Sequence, residues 1–268
     1  MPLFDHLGEL RRRLTIVVVS VLTASLVLYF ATPVVIDILQ DPIREFADEF
    51  YVMTALGGFS LRFSIAFKLA SVAHPELLEQ FPFPFALVAR YALDGAKLQV
   101  SYEVTNEGDE DMPFFIGGHP GFACPLDEGE GYSDYELRFD ADEAATLCTA
   151  VPSTGLIDVE NRSANPMVGR TLPLTHELFD FAETIFDVLN SRTVDLVKKG
   201  EEKGLRVSFP DFPYLIIWSK PEGDFVAIEP WGGLSTCSDE GDVFEDKRGC
   251  LTAKPGETVV RTFSIEIL

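Results

Sequence analysis

Hydrophobic and polar positions change period along this chain, and the first pattern is unbroken apolarity. Residues 14–31 form eighteen positions without a charge, directly behind Arg11, Arg12 and Arg13. As a helix that length is just enough to cross a bilayer core of about 30 Å, and the basic triplet sets the N-terminus on the cytoplasmic side. A cleaved signal peptide shares the layout, but Tyr29, Phe30 and Pro33 follow without an Ala-x-Ala site, so the predicted element is one membrane span. An apolar helix packed on a sheet is a further reading that the pattern leaves open. Residues 59–73 are too short and carry Arg62 and Lys68, which argues against a second crossing. After a short polar stretch at 74–81 with helical character, the period becomes that of strands. Residues 85–93 and 97–106 are rich in Val, Tyr and Leu and are joined at Asp94-Gly95, the pair a type I′ hairpin uses. Further strands are predicted at 112–116, 135–139, 204–209, 214–219, 225–229 and 258–268, and only 175–189 is partly helical. Many short strands separated by Gly, Pro, Asp and Asn predict an antiparallel sandwich.

Charge divides the chain at the same place as the pattern. Residues 1–71 carry six Lys/Arg against seven Asp/Glu, net −1, so residues 72–268 carry fifteen against thirty-six and account for −21 of the total −22. The predicted organisation is therefore a membrane segment at 1–71 and a sandwich domain at 72–268. So acidic a surface repels phosphate backbones, which excludes nucleic acid as a partner of the second part and favours a neutral or cationic small ligand. Cys124, Cys148, Cys237 and Cys250 show no Cys-x-x-Cys spacing. They indicate neither a zinc ribbon nor a thioredoxin-like pair, and free thiols in a reducing compartment are expected.

Two stretches bring candidate chemistry. In Phe114-Phe115-Ile116-Gly117-Gly118-His119-Pro120-Gly121-Phe122, an apolar strand runs into a turn with one histidine among three glycines and a proline. Imidazole titrates near neutrality, at about 6.5, and can give or take a proton at physiological pH. The glycines leave room for a ligand beside it, although a histidine simply held in a tight turn fits the same residues. In Phe225-Val226-Ala227-Ile228-Glu229-Pro230-Trp231, strand alternation places Phe225, Ala227 and Glu229 on one face and Val226 and Ile228 on the other. A carboxylate beside an indole suits a pyranose, whose C–H face stacks on aromatic rings while carboxylates take its hydroxyls. Equally, Glu229 reads as a solvated strand end and Trp231 as core. There is no Gly-x-Ser-x-Gly elbow, Walker loop or dinucleotide fingerprint. A His119/Cys124 pair lacks an orienting group, and four scattered histidines give no metal site.

The residues also resemble two known families. Pro2 to Leu14 (PLFDHLGELRRRL), the apolar stretch, Asp41-Pro42-Ile43 and Gly57-Gly58-Phe59-Ser60-Leu61-Arg62-Phe63 resemble the start of the twin-arginine translocase C subunit, as far as about Ala70. Glu9 matches an acidic residue of that family's signal-recognition motif, but it and His6 read as solvated groups before a membrane helix. Asn106, Met112-Pro113-Phe114, the Gly117–Phe122 turn, Leu172-Pro173-Leu174-Thr175-His176-Glu177-Leu178-Phe179, Phe209-Pro210-Asp211-Phe212-Pro213-Tyr214, Ile217-Trp218-Ser219-Lys220-Pro221 and Ile228-Glu229-Pro230-Trp231 resemble aldose 1-epimerases of the galactose mutarotase-like superfamily, from about residue 81 to 268. That resemblance implies a mainly β fold, a β-supersandwich, here N-terminally truncated and preceded by the hydrophobic helix.

The second resemblance implies His119 as catalytic acid and Glu229 as base in interconverting α and β anomers, with Asp180 and Trp231 as substrate-binding residues. His176 reads as structural. An aldose is the implied ligand, and neither cofactor nor metal is needed. Members of the family place about a third of the sandwich before the hairpin, including an arginine that contacts the sugar, and this chain has translocase-like sequence there instead. It reads as a fusion of two truncated coding regions, joined in the genome or in sequence assembly. The expected consequences are an exposed sheet edge, a half-walled groove, and impaired turnover and solubility of residues 72–268. Location is membrane-anchored through 14–31, whereas the epimerase resemblance implies cytoplasm. Two other functions stay open: a carbohydrate-binding relic without turnover, and a membrane component of the twin-arginine translocase.

Overall fold

The computed structural model describes residues 49–52, 62–180 and 182–268. The predicted membrane span at 14–31, Glu9 and His6 lie outside the described residues, among which no helix is long and apolar enough to cross a membrane. A compact unit runs from Glu49 to Leu268. In chain order its elements are β1 (Glu49–Val52), β2 (Arg62–Ala70), α1 (Pro75–Gln80), β3 (Phe85–Asp94), β4 (Lys97–Asn106), β5 (Met112–Phe114), β6 (Gly121–Ala123), β7 (Tyr135–Phe139), β8 (Leu147–Val151) and β9 (Leu156–Ser163). There follow β10 (Thr171–Pro173), β11 (Thr184–Phe186), β12 (Thr193–Lys198), β13 (Gly204–Ser208), β14 (Tyr214–Trp218), β15 (Phe225–Trp231), β16 (Leu251–Ala253) and β17 (Thr258–Ile267).

Three antiparallel sheets result: nine strands in the order β1-β2-β3-β4-β17-β13-β12-β7-β10, six in the order β6-β15-β14-β11-β8-β9, and the pair β16-β5. The two large sheets face each other. Leu137, Val194, Leu196, Val207 and Phe263 of the first pack with Phe186, Leu215, Ile217, Val226 and Ile228 of the second in one buried cluster. Each such side chain fully removed from water contributes about 1.5–3 kcal/mol. Alternation along β14 and β15 then turns Ile216, Glu229 and Trp231 to the outer face of the six-stranded sheet. There Ile185, Ile216 and Cys148 are covered by Leu234 and Cys237.

Two local expectations are corrected. The β3–β4 hairpin forms one residue later than predicted. Asp94 pairs with Lys97, so the two-residue loop is Gly95-Ala96, and Gly95 alone takes positive φ, at +62°. Glycine at the first central position is the type II′ requirement, not type I′. In 175–189 the helical part is a single 3₁₀ turn, His176–Phe179, followed by strand β11, whose Thr184, Ile185 and Phe186 are all buried.

The largest difference concerns where the sandwich begins. The expected boundary at 71/72 falls just after β2, and β2 pairs with β3 over nine residues, from Arg62↔Asp94 to Ala70↔Ala86. Its sequence, RFSIAFKLA, alternates with period two, so it serves as a strand although Arg62 and Lys68 unfit it for a membrane. The edge of β3 that the boundary would have uncovered is therefore paired, and β1 pairs in turn with β2. Among the described residues an apolar recess of about 360 Å³ stays open between Phe81, Phe85, Leu87 and Phe244.

Candidate active site

His119 and Glu229 are 110 positions apart in sequence and are joined by backbone pairing. β6 runs antiparallel to β15, with Ala123 opposite Phe225 and Gly121 opposite Ala227. The turn before β6 continues this zipper: Ile228 N–H donates to Pro120 O at 3.1 Å, Gly118 N–H to Pro230 O at 2.8 Å, and Gly232 N–H to Ile116 O at 2.9 Å. Gly118 is required by packing, since a Cβ there would stand 2.6 Å from Cε1 of the Phe263 ring. At Gly232 a Cβ would stand 2.6 Å from Ile116 O. These close approaches place His119 over the end of β15.

There His119 Nδ1 lies 3.1 Å from Glu229 Oε1, and the two side chains are unequal: the imidazole is 67% exposed, the carboxylate 4%. Trp231 Nε1–H donates to the other carboxylate oxygen, Oε2, at 3.1 Å. Glu229 thus has a partner on each oxygen and an orientation fixed from its own strand, two residues away on the same face. Burial pushes the Glu229 carboxyl above its ordinary pKa. The His119 charge and the Trp231 hydrogen bond pull it back in part, and the negative charge of Glu183 pushes it up again. A carboxylate whose pKa moves toward neutrality is a better proton acceptor than a solvated one. Beside the pair opens a groove of about 430 Å³ lined by Phe115, Gly117, Gly118, His119, Trp231 and Ser235 among others.

The groove's outer wall, the loop after β15, is tied down by charge. Glu240 accepts the backbone N–H groups of Cys237 and Arg248, both at 2.8 Å, and Arg248 holds Asp239 bidentately at 2.6 Å on each oxygen. Further along the sheet, Arg162 grips Asp187 at 2.6 and 2.9 Å and donates to Cys148 Sγ at 3.0 Å.

Of the sequence-predicted residues, His119, Glu229 and Trp231 come together. Asp180 is exposed at the end of the 3₁₀ turn, where its N–H donates to Glu177 O. The acid whose charge reaches Glu229 is instead Glu183. Its signal was available: read as a strand, Thr184-Ile185-Phe186 puts Glu183 on the face of Ile185, and Ile185, Ile216 and Glu229 form one row across β11, β14 and β15. His176 stacks on Tyr132, with ring centroids 4.3 Å apart and planes at 21°. Cys124 is fully buried, and its thiol is pushed up to about 12 by burial and then by Asp224, so it is no nucleophile beside His119.

The two-sheet β-sandwich is a fold shared with galactose mutarotase-like proteins of known structure. The galactose mutarotase related enzyme of Lactobacillus acidophilus superposes with a TM-score of 0.69 at 29% identity, over 82% of this chain and 71% of that one. A galactose mutarotase-like protein of Lactobacillus casei gives the same TM-score at 26% identity, over 82% and 73%. The plasmid-encoded protein LacX of Lactococcus lactis subsp. lactis is 40% identical over 207 residues, 76% of this chain and 69% of LacX. The family model for Aldose 1-epimerase matches residues 64–265, and the chain belongs to that family. Residues 5–89 also match the model for Sec-independent protein translocase protein (TatC). The two matches overlap at 64–89, and there the structure has most of β2, α1 and the start of β3, with both strands laddered into the nine-stranded sheet.

Proposed function

We propose that the chain is an aldose 1-epimerase that interconverts the α and β anomers of a reducing sugar, with Glu229 as base and His119 as acid. The observation that carries this reading is the buried carboxylate, raised in pKa by burial, 3.1 Å from an exposed imidazole in a member of that family. In the forward half-reaction a Glu229 oxygen takes the proton of the C1 hydroxyl while protonated His119 gives its proton to the ring oxygen. The C1–O5 bond breaks and leaves an open-chain aldehyde. Rotation about C1–C2 presents the other face of the carbonyl. Closure then runs the two proton transfers backwards, so that Glu229 returns its proton to O1 and His119 recovers one from the O5 hydroxyl.

The unequal exposure of the pair suits this cycle. Glu229 is held by the sheet and by Trp231, whereas His119 sits on a glycine-flanked turn and is the partner able to yield when a sugar enters between them. Trp231 supplies an apolar ring at the groove for the C–H face of the pyranose, and Glu183, not Asp180, is the better placed acceptor for a sugar hydroxyl. No Lys or Arg lines the groove among the described residues, which favours an unphosphorylated aldose. The match to LacX spans 69% of that protein, so the activity itself is the first thing to measure. Polarimetry of freshly dissolved α-glucose and α-galactose should show acceleration above buffer in proportion to protein. His119→Ala and Glu229→Gln should each remove it. Sugar-dependent quenching of indole fluorescence with no acceleration would instead establish a binding protein without turnover.

A further inference from the structure

The chain holds two tryptophans, and strand register sets both on the outer face of the six-stranded sheet. On β14, Leu215 and Ile217 belong to the buried cluster between the sheets, so alternation turns Ile216 and Trp218 the other way. Cross-strand pairing then lays out three rows on that face: Tyr214 opposite Trp231, Ile216 opposite Glu229, and Trp218 opposite Ala227. The last row continues across β15 to Gly121 of β6. Glu229 is thus flanked along its strand by two indole rows, Trp231 on one side and Ala227 with Trp218 on the other. Rows on one face are two residues, roughly 7 Å, apart, a span that one pyranose with its hydroxyls covers.

The two indoles are differently engaged. Trp231 donates its N–H to Glu229 Oε2, whereas the N–H of Trp218 has no protein acceptor among the described residues. The Trp218 ring is half-buried and held by Phe225, with centroids 5.4 Å apart and planes at 61°. Toward the acid–base pair its row carries only Ala227 and Gly121, so no bulky side chain of that row stands between the indole and Glu229. In the other direction Thr184 pairs with Ile217, which sets Glu183 beside Trp218. No ion pair or hydrogen bond holds the Glu183 carboxylate among the described residues. A pinned indole with an unengaged carboxylate at its edge suits a neutral sugar, whose C–H groups stack on the ring while its hydroxyls donate to the oxygens.

We propose that Trp218 is a substrate-binding residue, its ring carrying the end of the aldose remote from C1, with Glu183 as acceptor for the hydroxyls of that end. The inference rests on the epimerase reading for turnover but not for sugar binding, so the two can fail separately. Because the chain has two indoles, Trp231→Phe leaves Trp218 as the sole fluorophore. Full-chain protein of this variant is titrated with glucose and with galactose, and wild type, Trp218→Ala and Trp218→Phe are compared by polarimetry. The emission of the Trp231→Phe protein should change saturably with sugar. Trp218→Ala should raise KM about fivefold to tenfold with kcat within about twofold, and Trp218→Phe, which restores an aromatic face, should bring KM back to within about twofold of wild type. A sole Trp218 that is silent to both sugars overturns the assignment. So does a KM unmoved in Trp218→Ala, or a Trp218→Phe protein with no lower KM than Trp218→Ala, which would mark the indole as packing only. Should Trp218→Ala fail to fold, the titration and the KM of Trp218→Phe decide. If neither sugar is turned over, the epimerase reading falls and the titration alone decides: a saturable change upholds Trp218 as a sugar contact, and none overturns it.

Discussion

Replacing Glu229 by Gln removes a buried negative charge while keeping the size of the side chain and a carbonyl oxygen to accept the Trp231 N–H. Two observables should then move in opposite directions. Loss of the base should lower kcat by about 10²–10⁴-fold, the usual worth of a positioned proton acceptor. Stability at neutral pH should rise, because the folded protein holds this carboxyl above its ordinary pKa of 4.5, mainly by burial. Below 4.5 the group is protonated in folded and unfolded chains alike and costs nothing. As pH climbs from 4.5 through the raised folded value, the unfolded chain ionises more readily than the folded one, and a penalty grows until both are charged. Each pH unit of elevation is worth about 1.4 kcal/mol. For a unit of this size, 1 kcal/mol moves Tm by about 2–4 °C. The assay is thermal unfolding of wild type and Glu229→Gln at pH 4, 6 and 8 beside polarimetry. The variant should melt higher at pH 8 and equal wild type at pH 4. A variant that is inactive yet melts lower at pH 8, or whose advantage does not shrink on acidification, would refute the account of Glu229 as a destabilised base.

Three further outcomes are expected. Glu183→Gln removes a negative charge that raises the Glu229 pKa, so the acidic limb of the kcat/KM profile should move to lower pH; a limb that stays in place would show that the two carboxylates do not interact. Gly118→Ala drives a Cβ to 2.6 Å from the buried Phe263 ring and should cost about 1–3 kcal/mol in urea unfolding, with loss of activity because His119 moves with the turn. Native protein treated with a thiol-specific disulfide reagent should react first at partly exposed Cys250. Buried Cys124 and Cys148, whose thiols are pushed up to about 12, should react only on unfolding, and early labelling at either would contradict the packing described here.

The juxtaposed His119 and Glu229 are readable in the sequence because each half announces itself locally. Gly117-Gly118-His119-Pro120-Gly121 is a turn by composition, and the alternation of Val226 and Ile228 against Glu229 predicts an outward carboxylate, as the buried cluster confirms. That β15 reaches Trp231 was not readable, since Pro230 normally ends a strand. Pro230 is tolerated because it supplies only the acceptor of its pair, Gly118 N–H donating to Pro230 O, beyond the part of β15 that pairs with β6 itself, residues 225–227. β12 occupies Thr193–Lys198, where Val194 and Leu196 alternate between Asn190-Ser191 and the turn at Gly200, whose φ is +80°; the signal was present in the sequence. β2 escaped for a different reason. Its neighbours resemble a membrane protein, and Arg62 and Lys68, which unfit it as a span, sit on the polar face of a period-two strand pattern. Glu183 was lost with β11, because a helical reading of 175–189 scatters the face that a strand reading assembles.

β17 follows every other described strand in sequence, yet it lies in the middle of the nine-stranded sheet, between β4 and β13. Nine of its residues, Thr258 to Glu266, pair with Thr105 back to Lys97, and four pair with β13. On a ribosome this means that the β1–β4 block and the β7–β13 block emerge with an unoccupied lane between them, each showing an open backbone edge, until β17 itself has left the exit tunnel. Pairings this distant in sequence close slowly. The nascent chain is therefore at its most vulnerable to aggregation and proteolysis in the interval before β17 emerges. Phe263, whose ring packs against Gly118 in the histidine turn, arrives with that same strand, so the sheet and the packing beneath His119 are completed together.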